Sequence, residues 1–97
     1  PLHRYDVAIH SETGKCSDAE LRIDGKGVKG SRCRNLDFEQ PWTAIKEICH
    51  EYGFRGTIVF KTEKGDHRIS TTTPVEAKKI VDNVRANAPR IPVRECG

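Results

Sequence analysis

The chain has no methionine, one tryptophan, and aromatic residues at only 6% of its 97 positions. No apolar run approaches the roughly 18 residues that a membrane-spanning helix needs, so a soluble protein is expected. No Asn-x-Ser/Thr triplet occurs, which excludes N-linked glycosylation. Cys16, Cys33, Cys49 and Cys96 form no C-x-x-C pair, so the close thiolate spacing of a structural zinc site is missing. Neither a metal nor a cofactor is expected. No G-x-S-x-G elbow is present, so serine-based hydrolysis has no local support. Apolar residues make up 35% of the chain, a lean core for one domain of this length and one that calls for staples.

The staples are there. Four widely spaced cysteines in so short a chain point to two disulfides and an oxidising compartment. A chain opening on Pro1 without methionine fits removal of a secretory signal, so an extracellular protein is expected. Lys plus Arg exceed Asp plus Glu by 17 to 14, a net charge of +3. This mild excess is compatible with an anionic partner without requiring one.

Tyr5, Val7 and Ile9 alternate as in a half-buried strand. Ser11 to Gln40 reads mostly as loop, with one short alternating run at Ala19, Leu21 and Ile23 that could add a strand. Pro41 suits the first turn of a helix, and Ile45, Ile48, Cys49 and Tyr52 follow at i, i+3, i+4 and i+7. The spacing predicts a helix over 41–52, stopped by Gly53, with Trp42 extending its buried stripe. Residues 56–61 and 67–70 read as a hairpin around Glu63–Asp66. Thr73-Pro74-Val75-Glu76 is a capping box, and Ala77, Ile80, Val81, Val84 and Ala88 supply a second helical stripe. A short edge strand around Ile91 and Val93 ends the chain, limited by Pro92. The order strand, helix, strand, strand, helix, strand predicts a ferredoxin-like βαββαβ plait: a four-stranded antiparallel sheet, order 4-1-3-2, with two helices on one face.

Gly25 to Gly30 matches G-x-G-x-x-G, but the helix that a dinucleotide site needs does not begin inside the motif. The same loop carries Lys26, Lys29, Arg32 and Arg34, which could bind an anion through charge and exposed N–H groups; otherwise they simply solvate the surface. It has no interleaved aromatics before Phe38, which disfavours nucleic acid. His10 with Glu12, and His67 with Arg68, offer parts for acid–base chemistry, and the plait would bring both histidines to one end of the sheet. A small secreted ribonuclease is therefore the enzymatic alternative.

A cysteine-stapled plait with helices at Pro41 and Pro74 and cysteines at 16, 33, 49 and 96 resembles a known group. It is similar to the subunits of smut-fungus killer toxins and to fungal secreted effectors that share their fold. The resemblance implies a monomeric, non-enzymatic module that binds a host or competitor protein, or an anionic surface. The tail Glu95-Cys96-Gly97 also resembles the end of small fungal guanyl-specific ribonucleases. A regulatory domain of a larger protein is a third possibility. Disulfide partners must share one end of the sheet, because their Cα atoms lie within about 7 Å. Following the expected strands up and down pairs Cys16 with Cys33 and Cys49 with Cys96. A returning strand at 18–24 would favour Cys16–Cys96 with Cys33–Cys49 instead.

Overall fold

In the computed structural model, which describes residues 1–97, the alternation at Tyr5, Val7 and Ile9 forms the inward side of β1 (His3–His10). The stretch after β1 is strand rather than loop. β2 (Lys15–Ile23), β3 (Gly27–Ser31) and β4 (Phe38–Pro41) form an antiparallel meander. Ala19, Leu21 and Ile23, fully buried, are its inward residues. A short 3₁₀ turn at Trp42–Ala44 leads to β5 (Glu47–Tyr52), then β6 (Gly56–Thr62) and β7 (Gly65–Thr71). The single α-helix, α1 (Pro74–Asn87), precedes the edge strand β8 (Val93–Glu95). All eight strands share one sheet, in the order β4-β3-β2-β1-β7-β6-β5-β8. Every pairing is antiparallel except β5 with β8.

The ferredoxin-like plait is therefore wrong: there are eight strands, not four, and one helix, not two. The helix expected over 41–52 is the point of failure. Ile48, His50 and Tyr52 face inward from β5 at period two, opposite Phe60, Ile58 and Gly56 of β6. Cys49 points to the other face. Six residues with an isoleucine and a tyrosine satisfy either period over so short a run, and pairing with β6 decides it. Pro41 ends β4 rather than starting a helix. Trp42 is buried as expected, and its Nε1 donates to the Asp24 carbonyl at 2.8 Å.

The hairpin and the second helix form where expected. Thr73 caps α1, its hydroxyl accepting from the Glu76 N–H at 3.4 Å, and Ala77, Ile80, Val81 and Val84 are buried.

The sheet is rolled. β4 and β7 stand four strand spacings apart, about 19 Å on a flat sheet. Yet Phe38 of β4 stacks on His67 of β7 with ring centroids 4.2 Å apart. Phe38 also lies 6.3 Å from Phe60, and Gln40 Nε2 is 3.1 Å from His67 Nε2. Gly30 permits this closure: a Cβ there would sit 2.4 Å from the Phe38 ring and 2.9 Å from Ile9. α1 fills the other part of the concave face, with Ala77 against Gly56 and Asn83 donating to the Tyr5 hydroxyl at 2.7 Å. The G-x-G-x-x-G match is thus a turn and a strand, with Gly30 serving packing.

Two disulfides close the structure. Cys16–Cys33 ties the start of β2 to the segment after β3. Cys49–Cys96 ties β5 to the residue after β8. No helix is long and apolar enough to cross a membrane.

Candidate anion-binding face

The concave face of the sheet holds the core, so the convex face is where side chains are free to meet a partner. Strand register fixes its rows. On one half, Arg4, Arg22 and Lys29 stand directly opposite one another on β1, β2 and β3, with Glu39 next on β4. These cations are largely answered. Glu20 is 2.6 Å from Arg22, 3.5 Å from Arg32 and 3.8 Å from Arg4. The hydrogen bond from Arg22 holds the Glu20 carboxyl below its usual range.

Lys26, Lys29, Arg32 and Arg34 do not converge. Lys26 sits in the β2–β3 turn and Arg32 beyond the far end of β3, six extended residues or about 20 Å away. Lys26 and Lys29 share an open depression with Arg22, but also with Asp24 and Glu39. Asp24 already accepts from the Lys26 and Gly27 N–H groups, at 2.8 and 3.1 Å. Arg32 leans on Glu20, and Arg34 opens the 3₁₀ turn 34–36.

The other half is different. Lys15, His10 and Arg68 are directly opposite one another on β2, β1 and β7, all outward. The next position along this face holds Ser70, paired with Ala8 on one side and Thr57 on the other. His10 Nε2 and Ser70 Oγ are 2.7 Å apart. Arg55, in the β5–β6 turn, lines the same depression as Lys15 and Ser70, together with Asp6, Asp18 and Glu76, none of which is ion-paired to these cations. None of Lys15, Arg55 and Arg68 is ion-paired, whereas Lys46, Lys61 and Arg94 all have glutamate partners. Burial first, then the positive charges of Arg68, Lys15 and Arg55, push the His10 imidazole below its usual value and favour the neutral ring. The neutral ring thus separates two cations, Lys15 and Arg68, that no carboxylate pairs, and an anion seated over it would be attracted by both.

His10 and His67 lie on adjacent strands but on opposite faces. His10 is convex, beside Ser70, while His67 is concave, stacked on Phe38 and held below its usual pKa chiefly by burial. The two imidazoles cannot serve one substrate. Glu12 lies in the exposed β1–β2 turn, with no contact to either histidine. A third imidazole, His50, stacks on Tyr52 inside the roll at 4.3 Å, with its Nδ1 unpartnered.

Lys15, Arg55 and Ser70 are absent from the residues that sequence spacing suggests. Arg68 and Ser70 share a face by simple alternation, but the β1–β7 pairing that adds His10 and Lys15 spans 60 residues and leaves no local trace. No three His, Cys, Asp or Glu side chains are grouped to hold a metal ion. No protein-family model matches the chain, and a search of curated proteins found no similar sequence.

Proposed function

We propose that the protein is a secreted binding module, of effector or antagonist type, that uses its convex sheet face to engage an anionic surface on a host or competitor component. The unneutralised Lys15–His10–Arg68 row carries this reading. Two disulfides in a small chain suit an extracellular setting. With the plait gone, the likeness to killer-toxin subunits keeps only its cysteine usage, so the role rests on the charged face. The ribonuclease alternative loses its histidine pair to the two sides of the sheet.

Retention of the disulfide-intact protein on a heparin matrix tests the proposal. The double variant Lys15→Glu/Arg68→Glu should elute at clearly lower salt than Lys64→Glu/Lys79→Glu, which changes the net charge equally at exposed sites elsewhere. RNA incubated with the protein should remain intact. Equal elution of the two variants, or RNA cleavage lost in His10→Ala, would overturn the reading.

A further inference from the structure

We infer that Lys15, His10, Arg68 and Ser70 together form a discrete site for one tetrahedral oxyanion carried as a monoester, a phosphate or a sulfate. This inference rests on the anionic-partner reading above and narrows it. Adjacent strands are about 4.8 Å apart, so the Lys15 and Arg68 backbones stand roughly 10 Å apart with His10 midway. That spacing lets two long cationic side chains close from either side on one group of tetrahedral size. A smear of surface charge would serve any polyanion; the hydroxyl and the imidazole are what make this position particular.

The His10–Ser70 contact provides a switchable donor. In the empty site the neutral imidazole and the hydroxyl satisfy each other at 2.7 Å. An arriving oxyanion favours the imidazolium, whose Nε2–H then donates to Ser70 Oγ, leaving the hydroxyl proton to donate to a ligand oxygen. Arg68 adds a guanidinium fork and Lys15 a mobile ammonium. Thr57 lies beside Ser70 on β6, and Arg55 approaches from the adjoining turn. No carboxylate occupies this row itself; Asp6, Asp18 and Glu76 line the depression beside Lys15, Arg55 and Ser70, Glu51 and Asp66 line the adjoining one with Arg68, and Glu47 is taken up by Lys61 and Arg94. The groups bearing on His10 from neighbouring elements are the cations Arg68, Lys15 and Arg55. Burial first, and these cations after it, disfavour the imidazolium in the free site, and the ligand's negative charge opposes them. Binding therefore takes up a proton and tightens as pH falls from 8 towards 6.

NMR titration of the full, disulfide-intact chain with inorganic phosphate, inorganic sulfate and chloride at matched ionic strength tests the site. Saturable shifts are expected at the His10 ring and the Ser70 and Arg68 amides with phosphate or sulfate, and none with chloride. Arg68→Ala, at an exposed position, and Ser70→Ala should each weaken binding about ten-fold, the loss of one charge-assisted hydrogen bond. Sulfate, whose charge is constant over this range, should bind more tightly at pH 6 than at pH 8. The tighter of the two anions identifies the ester class. Absence of saturable shifts, or unchanged affinity in Arg68→Ala, overturns the site. If heparin retention persists in that case, the broader reading stands; if it is lost as well, both fall.

Discussion

Replacing Phe38 by alanine tests whether the sheet is rolled. On a flat sheet Phe38 would be an edge residue touching only β3, and its loss would cost little. Rolled, it is 7% exposed, stacked on His67 and packed against Phe60. Phe→Ala substitutions in a core cost about 3–5 kcal/mol. β4 is an edge strand that can relax into the space, so the lower end, about 3 kcal/mol, is expected. That is a large part of the roughly 5–15 kcal/mol of a typical domain, although the two disulfides should keep the variant folded. Urea unfolding followed by Trp42 fluorescence gives the loss. The His67 imidazole supplies an independent reading: burial holds its pKa down, so exposing it should raise the value towards 6.5. Phe54→Ala, at 94% exposure, should fall within about 0.5 kcal/mol of the parent. A Phe38→Ala loss below about 1 kcal/mol with an unchanged His67 titration would refute the rolled sheet.

Removing Cys49–Cys96, which spans 47 residues, should cost about 4 kcal/mol, against about 3 kcal/mol for Cys16–Cys33 across 17. Urea midpoints of the two double-alanine variants give the ranking, and a reversed order would contradict it. Stability should fall in two stages on acidification. His10 and His67 have folded pKa values below the unfolded 6.5, so the unfolded chain binds protons first and stability declines as pH drops below about 6.5. Glu20, Asp24 and Glu47 are held down by hydrogen bonds, so what they contribute is present above the unfolded carboxylate range and lost as pH falls through their folded values. A urea midpoint flat between pH 7 and 5 would contradict the first stage.

Local signals proved legible where one interaction dominates. The Thr73 capping box and the fourteen-residue stripe behind it specify α1 without help from the rest of the chain. Gly65, at φ +139°, marks the β6–β7 turn in the same way. The stretch from Ser11 to Gln40 was opaque because its strands are short, rich in glycine and charge, and stabilised by neighbours. In β3 only Val28 and Gly30 are buried, and the glycine is there for the Phe38 ring. Ile45, Ile48, Cys49 and Tyr52 imitate a helix because a 3₁₀ turn delivers Ile45 to the core just before a strand begins. The disulfides join Cys16 to Cys33 and Cys49 to Cys96 although residues 18–23 do return as part of β2, the condition expected to favour the other pairing, and although Cys49 sits inside a strand rather than in the last turn of a helix. The convex cation row depends on which strand lies beside β1, and no residue near His10 encodes that.

The parallel strand β8 has a further consequence. It covers the outer edge of β5, where the Ile48 N–H donates to the Pro92 carbonyl and the Cys96 N–H to the His50 carbonyl, each at 2.9 Å. Without that cover, the β5 backbone from Ile48 to His50 would be an open row of donors and acceptors, ready to accept a strand from another molecule. Three residues of β8 are too few to hold such a position by ladder bonds alone. The Cys49–Cys96 bond fastens the cover shut, so a reducing environment would turn a self-contained chain into one with an adhesive edge.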